Sequence, residues 1–169
     1  MFAKPLHFQM TLRASERKGI LSAHEMDFLT RSERSKLMSK VRGKNTKVEL
    51  TLFKLLHQSQ ITFETHAPDL RGRPDVVFRD CNLAVFVDGD FWHGRNFQTW
   101  ERKLNPFWRD KIRANIRRDR RTDRRLRSQG WSIVHVWGSD VLRQPERALK
   151  RILNSRFRKS KDACELVQS

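Results

Sequence analysis

Cysteine is nearly missing from this 169-residue chain. Cys81 stands in an apolar segment and Cys164 in a polar one, so they supply neither a disulfide framework nor a zinc cluster, and a reducing, cytoplasmic setting is expected. No apolar run approaches the length a bilayer demands, which argues against a spanning helix and against membrane attachment. The opening MFAKPLHFQMTLRASERKG also lacks the apolar core and small-residue cleavage site of a secretory leader. Acids are scarce too. Nineteen Asp and Glu face 36 Lys and Arg, a formal net charge of +17. Such an excess implies a polyanionic partner, and nucleic acid is the leading one, because a membrane would require an amphipathic or spanning segment as well. There are no internal repeats, and the length suits one domain with tails.

Residues 1–30 keep no sustained hydrophobic period and read as an arm, within which Met26 offers a second start. RSERSKLMSKVRGKNT reads as a short basic helix entering a turn at Gly43 to Asn45. From Thr46, TKVELTLFKLLHQSQ places Val48, Leu52, Leu55 and Leu56 at helical spacing behind a capping residue. ITFETHAPDLRGRPDVVF predicts a strand, a turn and a second strand from Asp75, and CNLAVFVDGD predicts a buried central strand. A long basic helix follows in FWRDKIRANIRRDRRTDRRLRSQG, ended by Gly130 in a left-handed conformation. WSIVHVW is a further core strand and PERALKRILNSRFRKS a last helix. This order predicts an α/β domain over residues 31–158, a mixed sheet flanked by helices, with 159–169 a polar C-terminal tail.

The chemistry concentrates at Phe86 to Gly94, FVDGDFWHG, where an apolar strand ends in acids, aromatics and a histidine. A short RDCN turn makes the two flanking strands antiparallel and brings Asp75 beside Asp88. Paired carboxylates at strand ends suit Mg²⁺, which binds hard oxygen ligands together with a substrate phosphate. Each acid alone also reads as a turn cap or a solvated strand end. On the basic helix, Ile112, Ile116, Asp119, Asp123 and Leu126 share one face. Asp119 therefore needs an inward partner, either an arginine or a histidine such as His93, which it would orient as a general base. Glu49 closes the capping box TKVE. Arg113, Arg117, Arg120 and Arg121 belong to an arginine-rich helix whose planar forks match phosphate. Phe91, Trp92, Phe107 and Trp108 read either as core or as wedges between base steps.

RSKLMSKVRGKNTKVE, GRPDVVF, VFVDGDFWHG, FWRDKIRANIRRDRR and GWSIVHVW occur in that order between Arg34 and Val141. In these segments the chain resembles the very short patch repair (Vsr) endonucleases, which are restriction-endonuclease-like in fold and nick DNA beside a T:G mismatch. The resemblance implies a metal held by Asp75 with the Val87 carbonyl. It makes His93 the base, Asp119 its partner, Glu49 an active-site acid, and Phe91, Trp92 and Trp108 the wedge, in a monomer acting on double-stranded DNA. The chain departs from the family in two places. Asp88 stands where members often carry histidine, which would give a two-carboxylate metal site. The positions of the family's structural zinc ligands hold Asp90, Arg95, Phe97 and Ser139, so no structural zinc is expected. A homing-type or mobile-element nuclease without mismatch specificity, or a catalytically silent DNA-binding module, are the alternatives.

Overall fold

The computed structural model describes residues 45–167, with side chains as far as Arg158. The arm at 1–30 and most of the short basic helix expected after it lie outside the described residues. Helix α1 spans Lys47–Gln58 and starts where the capping box places it: Thr46 Oγ accepts from the Glu49 amide at 3.3 Å. The Glu49 carboxylate returns the bond one residue further out, to the Asn45 amide at 2.8 Å. α1 buries Leu52, Phe53 and Leu56 at its helical spacing.

Strands β1 (Glu64–Thr65), β2 (Val76–Phe78), β3 (Leu83–Asp88) and β4 (Ser132–Trp137) form one sheet in sequence order. β2 runs antiparallel to both β1 and β3, and β4 runs parallel to β3, giving the mixed sheet the sequence predicted. β2 and β3 are joined by a 3₁₀ turn at Arg79–Cys81 and by Asn82, whose left-handed φ of 47° an asparagine tolerates. The Leu83 and Ser132 register of the parallel pair demands a long crossover, supplied by a short helix α2 (Phe97–Trp100) and the long α3 (Pro106–Ser128). Asn105 caps α3 by accepting from the Trp108 amide at 3.0 Å, and Pro106 occupies the first turn, where it costs no hydrogen bond. Gly130 ends the helix at φ +85°, as the sequence indicated. After β4 come α4 (Gly138–Arg143) and α5 (Pro145–Val167). The helical backbone of α5 thus passes the expected start of a tail at residue 159.

The sheet separates two apolar layers. On one face, Val76, Phe78, Val85, Val134 and Val136 pack against Leu52 and Leu56 of α1, Val141 of α4 and Ile152 of α5. On the other, Val77 and Leu126 of α3 are joined by Ala67, Leu70 and, half-buried, Phe86 and Ile133. The carboxyl ends of β3 and β4 open between these layers, the usual place for a site in such a sheet. Among the described residues no helix is long and apolar enough to cross a membrane.

Candidate active site

The segment after β3 is wound into a tight turn that aims its side chains. His93 N donates to Gly89 O at 3.0 Å, Arg95 N to Asp90 O at 2.8 Å, and Asn115 of α3 donates its side-chain amide to Trp92 O at 3.1 Å. Gly94 makes the turn possible. It sits at φ +70°, and a Cβ there would stand 2.7 Å from Ile116 Cδ1.

His93 points toward α3, and its Nδ1 lies 2.9 Å from Asp119 Oδ2. Of the two partners that helical spacing left open for Asp119, an arginine or a histidine, the inward one is His93, and Arg118 adds a bond from the same helix. Burial works against charge on His93, but the hydrogen bond to Asp119 and the nearby Asp88 carboxylate outweigh it and raise its pKa above the ordinary histidine value. Asp119 is lowered: burial pushes it up, and the bonds from His93 and Arg118 more than offset that.

A second grouping lies across β2. Glu49, His66 and Asp75 present one ligand atom each within 4.8 Å of one another. His66 Nε2 is 3.5 Å from Glu49 Oε2, and its Nδ1 is 3.9 Å from Asp75 Oδ1. Asp75 is half-buried beside β3, where its Oδ2 accepts the Val87 amide at 2.7 Å. Desolvation raises its carboxyl pKa to about 6, against the lowering pull of the Val87 N–H, and the negative charges of Glu49 and Asp88 push the same way. Like-charged carboxylates held together out of water fit a cation between them, so two oxygen donors and an imidazole make a plausible divalent metal site. Glu49 consequently serves both as helix cap and as a member of this cluster.

Asp88, expected to share a metal with Asp75, is not one of the three residues of that grouping. It is buried, with Oδ2 2.7 Å from His135 Nδ1 and Oδ1 3.4 Å from His93 Nδ1. His135 Nε2 in turn meets Asp123 at 3.1 Å. Sequence reading missed His66 and His135. His66 gave no periodic signal, since it occupies a loop at φ 52°. His135 did give one, as the polar member of SIVHVW between Val134 and Val136.

Of the two readings open for Trp108, core or wedge, its burial fits the core. With 1% of its surface exposed it is buried beneath Phe91, Trp92 and Phe107, all in edge-to-face contact with it, so it supports the aromatic cluster from within. Phe91 and Trp92 are partly exposed, and Phe107 is exposed. Arg117, Arg120 and Arg121 lie on the solvent face of α3, whereas Arg113 is tied to Glu101 at 3.0 Å. Arg71, Arg73 and Arg118 border the cavity into which His93 and Asp119 open.

At the positions where zinc ligands would stand, Arg95 Nη1 donates to Asp90 Oδ1 at 3.0 Å, Ser139 Oγ at 2.6 Å and Asp140 Oδ1 at 2.7 Å. The Ser139 amide and hydroxyl both donate to Asp90. Burial raises Asp90, but its bonds from Ser139 and Arg95 prevail and hold it below the usual carboxylate value. Phe97 is buried beside this knot, edge-on to Trp100.

Residues 26–99 match the family model described as DNA mismatch endonuclease Vsr. The chain is 38% identical over 126 residues to the type II nicking enzyme V.HpaIIP of Haemophilus parainfluenzae, covering 72% of this chain and 89% of that one. It is 36% identical over 121 residues to V.NmeDIP, a type II nicking enzyme of Neisseria meningitidis serogroup C, covering 70% and 82%. To the DNA mismatch endonuclease Vsr of Escherichia coli strain K12 it is 32% identical over 133 residues, covering 78% and 85%.

Proposed function

The chain belongs to the DNA mismatch endonuclease Vsr family and is a DNA endonuclease of the nicking kind, and from that premise we propose that it cuts one strand beside a T:G mismatch, as a monomer on double-stranded DNA, with Mg²⁺ as cofactor. The observation that carries this reading is the His93–Asp119 pair standing beside the Glu49–His66–Asp75 cluster. The end of β3 links them, since Asp75 Oδ2 accepts the Val87 amide at 2.7 Å and the next residue, Asp88, has its Oδ1 3.4 Å from His93 Nδ1.

Glu49, His66 and Asp75 would hold the divalent ion, which when bound supplies positive charge to the scissile phosphate and acidifies a nearby water. Asp119 accepts the Nδ1–H of His93 and so fixes its tautomer, leaving the Nε2 lone pair as the proton acceptor. His93 takes the proton from the attacking water, and Asp119 stabilises the imidazolium that results. Arg117, Arg120 and Arg121 on the outer face of α3, with Arg71, Arg73 and Arg118 at the cavity, suit phosphates along the strand. Phe91 and Trp92, partly exposed and backed by Trp108, would be the side chains that enter the duplex.

Matched supercoiled plasmids and short duplexes differing only in a T:G or T:A pair provide the test. With Mg²⁺ the protein should nick the T:G substrate at least tenfold faster than the paired one. Equal rates on both would reject mismatch recognition and leave a nuclease of other specificity. No cleavage of either with Mg²⁺ or Mn²⁺ would reject the catalytic reading in favour of a binding module.

A further inference from the structure

The parallel register pairs Phe86 of β3 with His135 of β4, and their rings stack 5.3 Å apart at 16°. That stacking fixes the plane of the imidazole and turns both of its nitrogens toward acids. Nδ1 lies 2.7 Å from Asp88 Oδ2, and Nε2 lies 3.1 and 3.3 Å from the two oxygens of Asp123. A neutral imidazole owns one N–H and one lone pair, so it would set that lone pair against a carboxylate oxygen. Only the doubly protonated ring donates at both ends.

The other Asp88 oxygen stands 3.4 Å from His93 Nδ1, which is itself bonded to Asp119. One unbroken run therefore leads from Asp123 through His135, Asp88 and His93 to Asp119, with its two ends a helical turn apart on α3. We infer that His135 is a positioning residue for the nicking reaction: an imidazolium clamped between Asp88 and Asp123, it holds Asp88 at a set distance from His93 and offsets its charge, so that His93 is free to act as a base. The inference rests on the reading of His93 as that base.

The charges around the two rings support it. His93 is faced by Asp88 from β3, by Asp119 and Arg118 from α3, and more distantly by Asp75 ahead of β2. His135 is faced by Asp88 and Asp123, and Arg71 and Arg73 border the same cavity. Burial disfavours charge on His135, yet the bonds and charges of Asp88 and Asp123 prevail and raise its pKa. With His135 neutralised, the Asp88 carboxylate would act on His93 uncompensated and hold it protonated to higher pH.

The test is NMR titration of the histidine rings alongside single-turnover nicking from pH 5.5 to 9. In the unaltered protein, nitrogen shifts at pH 7 should show His135 protonated at both nitrogens, and a neutral ring would overturn the proposal without any variant. His135→Gln should raise the His93 titration midpoint and the acid limb of the rate profile together by about one pH unit, with roughly tenfold slower nicking at pH 6.5 and little loss at pH 9. Adding Asp88→Asn to His135→Gln should return the His93 midpoint to or below its original value. A uniform rate loss at every pH, with the His93 midpoint unmoved, would reduce His135 to a structural part and refute the inference. His93→Ala separates the two levels: full nicking by that variant would defeat the base assignment itself, whatever the titrations show.

Discussion

Removing the charge of Asp75 should make the metal-free protein more stable while abolishing cleavage. Its carboxyl is raised from 3.8 to about 6 in the folded state, chiefly by burial and further by Glu49 and Asp88. The sign follows from linkage. A carboxyl that titrates higher when folded favours the fold fully below its unfolded value, and that contribution is lost as pH rises through about 6. Two units correspond to about 3 kcal/mol of strain at pH 8, an upper figure because the side chain keeps some contact with water. Asp75→Asn retains an oxygen to accept the Val87 amide, so its main effect is to delete the charge. Denaturation in urea with EDTA should show the variant about 1–3 kcal/mol more stable at pH 8 and nearly equal to the parent at pH 4. Mg²⁺ should then stabilise the parent and leave the variant unmoved, because ligand binding to the native state alone raises its stability. A variant less stable than the parent in EDTA at pH 8, or one with the same gain at both pH values, would refute the reasoning.

His93→Ala should slow single-turnover nicking by on the order of 10² or more, with duplex affinity kept; a loss under threefold would make the residue structural. Because the His93 pKa is raised, the rate in the unaltered enzyme should climb through the neutral range and level off in alkali, and a flat pH–rate profile would contradict the base role. If roughly six arginines on and around α3 neutralise phosphates, the slope of log affinity against log salt should be about −5, and a slope shallower than about −2 would contradict that interface. Elemental analysis after dialysis should find no stoichiometric zinc, and Arg95→Ala should lower the melting temperature only modestly, because the pair is partly exposed and Asp90 keeps its bonds from the Ser139 amide and hydroxyl; one tightly held zinc per chain would refute the first expectation and a collapse of the fold the second.

Local patterns carried the parts of the site that the sequence revealed. The α3 face bearing Ile112, Ile116 and Asp119 follows from a 3.6-residue period, and so an inward acid needing an arginine or a histidine was readable without coordinates. The hairpin was readable too, because the turn between β2 and β3 is short. What escaped reading depends on pairing between distant segments. Only the β3–β4 register places His135 beside Phe86 and within reach of Asp88, and no local pattern encodes a register across a long crossover. The His135 partner of Asp88 likewise arrives from β4, so the residues around Asp88 do not announce it. His66 escaped because its loop has no period, and Trp108 because one aromatic letter serves equally for a buried prop and an exposed wedge.

The long connection between β3 and β4 has a bearing on when the enzyme becomes dangerous to DNA. The β2–β3 hairpin closes a short loop, whereas joining β4 to β3 must first meet the entropy of closing the whole crossover, so the parallel pair is expected to form late in folding. Asp119 and Asp123 lie inside that crossover and His135 lies beyond it. A chain caught before this step already carries its arginines, but on the proposed mechanism its His93 base would lack Asp119 and its Asp88 would lack His135. Cutting would then be confined to molecules that have completed their fold.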